Sequence, residues 1–392
     1  MTNNSLFTEV SCHSLIKYGE ELCGDHFEMI EPDDDSIIVV LADGMGSGVK
    51  ASILSTLTSK IISTMLANNL SLEECVSTIA STLPVNSEVG VAYSTFTIIR
   101  IWDNSEVQIL IYDNPDIIFM RNGKIMDLAK SEIQYGDKKI KMSYFKLKEG
   151  DCLLGFSDGA LHASSNNIMN FDWDLKDIKE FVAKIYDKKM TANMYTSILL
   201  DECNRLYGGK PKDDVSVFTV RIRKRETANM LIGPPRDPKD VALMLSLFFS
   251  KEGQRIVCGG TTSELAAEYL GKDVIQGTVS YDKSIPPMGE IEGVDLVTEG
   301  TITLNRVLAY AKKYLEDSED FENWSSDMDA AFVMARIIFE EVTDINMFVG
   351  RAENKAHLSP NLAIGYSIKM KIVEELEECL KKMGKKVKVR YF

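Results

Sequence analysis

The run Ile37 to Leu41, read IIVVL, is uninterrupted, largely β-branched and bounded by polar residues, which predicts a buried strand. Beyond it the apolar period lengthens. From Ser47 to Ala67, residues Ile53, Leu57, Ile61, Met65 and Leu66 recur at helical spacing, so that stripe is expected to lie on a sheet. A second helix is expected from Ser71, where Ser71 and Glu74 stand at capping-box spacing, to just before Pro84. From Ser94 to Leu154 short alternating runs take over: STFTIIRIW, VQILIYD, IIFMRNG, KIMDL, KMSYFKL and DCLLGF, separated by Asp-Asn, Asn-Gly and Glu-Gly turns. Spacing this short implies hairpins and mostly antiparallel sheet. Helical segments at about Leu175 to Tyr186 and Met190 to Tyr207 precede a closing strand, Val215 to Ile222.

The charge run RIRKRE and the proline-rich IGPPRDP then predict a linker near Arg223 to Pro238, dividing the chain into domains at 1–224 and 225–392. Past it, helices alternate with short strands. Helices are expected at Lys239 to Ser250, Ser263 to Leu270, Leu304 to Leu315, Asp329 to Glu341 and Leu362 to Met383. Strands are expected at Arg255 to Cys258, Val294 to Val297, Ile345 to Val349 and Val387 to Phe392. That alternation predicts a smaller α/β domain with a mainly parallel sheet.

A length of 392 residues suits two or three domains. The excess of Asp and Glu (59) over Lys and Arg (44) gives a net charge of −15, which argues against nucleic acid as a partner, because phosphate backbones select basic surfaces. Seven cysteines (Cys12, Cys23, Cys75, Cys152, Cys203, Cys258, Cys379) are scattered with no CxxC pair and read as reduced core thiols. No apolar run approaches the roughly 20 residues of a membrane span, and MTNNSLFTEV lacks the order of a signal peptide. A cytoplasmic protein with no membrane partner is expected.

Chemistry enters at ADGMGSG. Asp43 follows the IIVVL strand, and Gly44, Gly46 and Gly48 let the backbone turn tightly there. Taken alone, this is also how an ordinary strand-to-helix turn reads. Three other acids share the setting: Asp25 after a glycine, Asp158 in GFSDGA, and Asp213 beside Asp214 after a glycine-rich loop. If these strand ends meet, Asp25, Asp43, Asp158 and Asp213, with a backbone carbonyl such as that of Gly44, form an all-oxygen site for Mg²⁺ or Mn²⁺. Two such ions about 3.5–4 Å apart activate a shared water for in-line attack on a phosphoester. No protein nucleophile is then needed, and His13, His26, His162 and His357 show no triad-like context.

The order GD, DGMGxG, SDG, then DD before an apolar strand resembles the bacterial PPM-type serine/threonine phosphatases of the stage II sporulation protein E and sigma-regulator class, over roughly Thr8 to Arg223. The resemblance implies an α+β fold, a four-layer α/β/β/α sandwich of two antiparallel sheets. It also implies two Mn²⁺ or Mg²⁺ ions and a phosphorylated, anti-sigma-antagonist-like regulatory protein as substrate. By the same resemblance, Asp43 bridges both metals, the Gly44 carbonyl binds one, Asp158 and Asp213 complete the first site, and Asp25 serves the second, mostly through water. Catalysis would thus rest on Asp43, Asp158 and Asp213. Asp214 would orient water or phosphate, and Ser47 to Leu83 would form a regulatory switch. The segment YDNPDIIF and the loop from Lys130 to Lys139 depart from the family pattern.

In the second domain, RIVCGGTTSELAAEYLG and VDLVTEGTITLNRVL each join a strand to a helix through glycine. They read first as well-capped βα turns, since neither matches a P-loop or GxGxxG pattern, although such turns also offer free N–H groups to an anionic small ligand. The basic stretch KKMGKKVKVR reads as a solvated helix face and strand. A sensing role for this domain and a homodimer are both compatible with the sequence. Competing readings of the whole are a catalytically silent signalling module with a phosphatase fold and a hydrolase of small phosphate esters.

Overall fold

The computed structural model describes residues 5–33, 35–82, 94–135, 138–163, 173–277, 286–316, 329–352 and 363–392. They group into two compact units, Met1–Lys224 and Arg225–Phe392.

The first unit carries eleven of the described strands: β1 (Leu6–Leu15), β2 (Asp25–Asp33), β3 (Ser36–Gly44), β4 (Ser94–Trp102), β5 (Glu106–Tyr112), β6 (Ile118–Arg121), β7 (Lys124–Met126), β8 (Ser131–Tyr135), β9 (Lys138–Lys146), β10 (Asp151–Phe156) and β11 (Val215–Lys224). Two sheets result, ordered β1-β11-β10-β6-β7 and β2-β3-β4-β5-β9-β8, with antiparallel pairing throughout. Helices α1 (Gly48–Ala67) and α2 (Leu72–Thr82) follow β3, and α3 (Leu175–Lys184) and α4 (Ala192–Leu206) precede β11.

The alternation along β3 explains the layers. Ile37, Val39 and Leu41 meet Phe218, Val220 and Ile222 of β11 in a core between the sheets. Ile38, Val40 and Ala42 point the other way, against Ile62 and Leu66 of α1 and Val76 of α2. A strand buried on both faces must be apolar at every position, which is why IIVVLA shows no period of two. On the far side, Ile178, Val182, Tyr195 and Leu199 of α3 and α4 cover Cys152, Leu154 and Val217. The result is the four-layer α/β/β/α sandwich expected of this half.

Two details differ from the sequence reading. β1 and β8 carry no strong apolar alternation and were not anticipated. The side of α1 against the sheet is Ala51, Ser55, Thr58, Ser59, Ile62 and Leu66, while Ile53 and Leu57 are exposed. Small and hydroxyl residues win that face because they let the helix approach the strands closely. The hydroxyls of Ser55, Ser59 and Ser63 are satisfied by carbonyls three residues back in the same helix.

The second unit contains β12 (Thr227–Ile232), α5 (Val241–Phe249), β13 (Gln254–Cys258), α6 (Gly260–Leu270), β14 (Gly289–Ile291), β15 (Val294–Thr298), α7 (Thr301–Glu316), α8 (Ala330–Arg336) continued by one π turn, β16 (Asp344–Val349), α9 (Ala363–Lys382) and β17 (Lys386–Tyr391). The sheet order is β14-β15-β13-β12-β16-β17, parallel except for β14, as its alternating grammar implied. α5 and α6 pack on one face with Leu231 and Val257, and α7, α8 and α9 on the other with Met230 and Met347.

The stretch read as a linker holds β12, a central strand. Asn229 in its middle is fully buried, which weakens the hydrophobic signal; it accepts from the Asn346 side-chain amide (2.9 Å) and donates to the Glu252 carbonyl (3.0 Å). Among the described residues, no helix is long and apolar enough to cross a membrane.

Candidate active site

Antiparallel pairing decides where the acids go. Asp43 closes β3 and Asp25 opens β2, and the register places the two directly opposite each other. Asp158 sits in the short 3₁₀ turn that follows β10, and Asp213 stands two residues before β11, the strand paired with β10. All four therefore fall at one end of the sandwich. Asp43 lies on the same side of β3 as Val39 and Leu41, so the group caps the core between the sheets.

The two sheets are bridged at this end. Asp25, 6 % exposed, takes side-chain hydrogen bonds from Ser157, after β10, and Ser216, in β11. Ser157 in turn accepts the Ser216 N–H (2.9 Å), and Ser216 shares a 2.7 Å hydroxyl contact with Ser14 of β1. These serines, which hold the Asp25 carboxyl, were not visible as partners in the sequence. Ser157 adjoins the SDG motif, but an uncharged residue inside a recurrent motif carries no separate signal.

Burial, with crowding of like charge added to it, sets the electrostatics of this end. Burial, then the carboxylates of Asp25, Asp158, Asp213 and Asp214, push Asp43 up to about 8. Asp25 is raised to about 7 by burial; Asp214 and Asp158 add to the rise, and the hydrogen bonds from Ser157 and Ser216 oppose it. Asp213 is raised as well, chiefly by burial. Asp25 Oδ2 is buried without a hydrogen-bond partner.

Asp214 has a different place from the one expected. Its carboxylate is 4 % exposed and accepts the backbone N–H groups of Lys17 (3.0 Å) and Gly24 (2.9 Å). It is a strut that pins the loop before β2, and so fixes where Asp25 begins. With both oxygens engaged in this way, it is not set to orient water or phosphate.

Two glycines permit close approach. A Cβ on Gly44 would stand 2.1 Å from the Ala51 carbonyl oxygen in the first turns of α1, and one on Gly159 would stand 2.1 Å from the Asp214 carbonyl oxygen. The Gly159 carbonyl also accepts the buried Tyr207 hydroxyl (2.8 Å). The departure YDNP has a local cause: Asn114 is buried, accepts from Thr95 Oγ1 (2.6 Å) and donates to Thr97 Oγ1 (3.2 Å), tying the segment to β4.

Other reactive groups stand apart or inert. His26 Nδ1 meets Ser59 Oγ (2.8 Å), with its pKa lowered by burial. His13 Nε2 meets Asn193 Oδ1 (2.7 Å), His162 is exposed, and His357 lies outside the described residues. All seven cysteines are free thiols. Cys23, beside the cluster, is pushed up to about 12 by burial and by Asp25 and Asp214, so it stays a thiol and not a nucleophilic thiolate.

Among the described residues, no three acidic, histidine or cysteine side chains form a group that could hold a metal ion as they stand. The donors gathered here nevertheless suit a hard divalent cation. They are all oxygens, they repel one another, and one oxygen is buried with nothing to bond.

Residues 33–223 match the family model described as Stage II sporulation protein E. Stage II sporulation protein E of Bacillus subtilis (strain 168) is 27% identical over 212 residues, which is 53% of this chain and 24% of that protein; the chain thus spans about a quarter of the length of this curated relative. Among solved structures, the PP2C phosphatase domain of that protein with a fragment of its regulatory domain aligns at 22% identity and a TM-score of 0.48, over 56% of this chain and 64% of that one. The RsbU and RsbW domains of a Mycobacterium tuberculosis protein align at 14% and 0.48, over 68% and 71%. RsbX in complex with magnesium aligns at 18% and 0.40, over 55% and 95%.

Proposed function

We propose that this chain, whose residues 33–223 match the family model described as Stage II sporulation protein E, is a phosphoprotein phosphatase that hydrolyses phosphoserine or phosphothreonine on a bacterial regulatory protein. The observation that carries the reading is the gathering of Asp25, Asp43, Asp158 and Asp213 at one end of the sandwich, where each carboxylate that shifts does so upward. A chain with no use for cations has no reason to keep such repulsion.

In this proposal Asp43, Asp158, Asp213, Asp25 and the Gly44 carbonyl hold two Mn²⁺ or Mg²⁺ ions. When bound, the ions supply an activated water and neutralise charge on the phosphoryl group. The remaining work falls to the chain. Ser157 and Ser216 hold Asp25 between the sheets, and Asp214 fixes the loop from which Asp25 emerges. Gly44 lets α1 close against the end of β3. The high pKa of Cys23 leaves no thiolate to compete as nucleophile.

Hydrolysis of p-nitrophenyl phosphate with Mn²⁺ is expected in the full chain and is expected to vanish in Asp43→Asn and Asp158→Asn. Folded variants with full activity would remove the site assignment. Turnover of a phosphorylated anti-sigma-antagonist protein, compared with free phosphate esters, separates the phosphoprotein reading from the small-ester hydrolase. Inactivity of wild-type chain on both with Mn²⁺ leaves the silent signalling module.

A further inference from the structure

The second unit holds a place where positive charge is left unanswered. β12, β13, β15, β16 and β17 run parallel, so their carboxyl ends share one edge of the sheet. Both α6 and α7 start at that edge, after the adjacent strands β13 and β15. The two turns touch: Gly259 takes a φ of +115°, and a Cβ on Gly300 would stand 3.5 Å from the Gly259 Cα. Gly260, Thr261, Thr301 and Ile302 are exposed there. Neither helix has an acidic residue in its first turn, and α6 has no side-chain cap. Paired helix starts of this kind present unsatisfied N–H groups and two positive dipole ends to one region.

A helix start alone is commonplace, but a second feature points the same way. Thr262, in the first turn of α6, is 2 % exposed and its Oγ1 has no hydrogen-bond partner. It lines a small, partly open cavity of about 10 Å³ between Gly233, Pro234 and Pro235 of the loop after β12 and the apolar side chains of Leu231, Met244 and Leu265, and its Oγ1 lies 3.1 Å from where a Cβ on Gly259 would stand. Thr303, at the matching position of α7, is fully buried with its Oγ1 equally unpartnered. A buried hydroxyl without a partner is penalised, and valine has nearly the same shape without the penalty. Threonine at position 262, next to the turn at Gly259, is accounted for if a ligand supplies the missing bond.

We propose that the paired starts of α6 and α7 bind the phosphate group of a small ligand, with Thr262 donating from below. A tetrahedral dianion answers two helix ends at once, which a single carboxylate does not. Glu299 is the competitor on the chain itself: exposed, with its Oε1 3.9 Å from where a Cβ on Gly260 would stand. The site stands apart from the phosphatase reading of the first unit.

The test is calorimetric titration of the full chain with inorganic phosphate in EDTA, where the uncompensated carboxylates of the first unit repel phosphate, with sodium acetate in a parallel arm. One phosphate per chain is expected. Thr262→Val should weaken it about tenfold while raising the melting temperature of the unliganded chain, and Glu299→Gln should tighten it. Absence of phosphate binding, or unchanged affinity in Thr262→Val, overturns the site. A lower melting temperature for unliganded Thr262→Val would mean that the hydroxyl is already partnered, which also overturns it. Acetate binding as tightly as phosphate overturns the phosphate assignment.

Discussion

Replacing Asp43 by asparagine should make the metal-free protein more stable and the enzyme inactive, and the two effects share one cause. In the folded chain burial and its acidic neighbours raise Asp43 to about 8, whereas an unfolded aspartate titrates at about 3.9. The folded state therefore holds the Asp43 proton more tightly. Its contribution to stability is fully present below about pH 4 and is lost as pH rises through about 8. At pH 7 the ceiling on that loss is about 4 kcal/mol, from roughly three pH units at 1.36 kcal/mol each. Solvent screening of a half-buried side chain shared among several acids reduces it to about 1–2 kcal/mol. Asparagine is neutral at every pH and escapes the loss. Urea unfolding of the first unit in EDTA should thus show Asp43→Asn gaining on wild type between pH 5 and pH 8. With millimolar Mn²⁺ the order should reverse, since only wild type gains from binding the ion in its native state. A variant less stable than wild type at pH 8 in EDTA, or a difference that ignores pH, would refute the electrostatic account.

Three further outcomes follow from contacts in the first unit. Gly44→Ala places a methyl 2.1 Å from the Ala51 carbonyl oxygen, so α1 must move off β3; a loss of about 1–3 kcal/mol is expected, with reduced Mn²⁺-dependent turnover, and an unchanged melting temperature would contradict it. Asp214→Ala strands the N–H groups of Lys17 and Gly24 at about 1–3 kcal/mol each if they stay dry, and limited proteolysis should cut first between residues 17 and 24. Asp151 is fully buried and paired with Arg121 at 2.8 and 2.6 Å. Asp151→Ala should therefore cost about 2–4 kcal/mol in urea unfolding, against under about 1 kcal/mol for the exposed pair of Lys60 and Glu28.

What the sequence disclosed was local chemistry. An acid followed by glycine at a strand end is visible in ADG and SDG, and the apolar run Ile37 to Leu41 announces its burial. Hairpin spacing from Ser94 to Leu154 was enough to imply antiparallel sheet. The missing parts were those that depend on a partner far along the chain. Ser157 and Ser216 matter only because β10 and β11 bring them to Asp25 from across the sandwich. Asp214 looked like a member of the acidic site because its two backbone donors come from residues 17 and 24, nearly two hundred positions away. β12 was hidden because a buried asparagine interrupts it, and that asparagine is legible as core only beside Asn346. On α1, Ile53 and Leu57 of the apolar stripe point outward because close packing selected smallness over hydrophobicity on the sheet-facing side.

The opposed pair of Asp25 and Asp43 also limits how this site can evolve. Because neighbouring positions on a strand point to opposite sides, removing or adding one residue between Ile37 and Asp43 would turn the carboxylate toward α1 and exchange every hydrophobic neighbour with it. Parity thus constrains the strand as strictly as the chemistry constrains the aspartate. Lineages derived from this chain are expected to vary the length of the connections around the strand while leaving the count within it untouched.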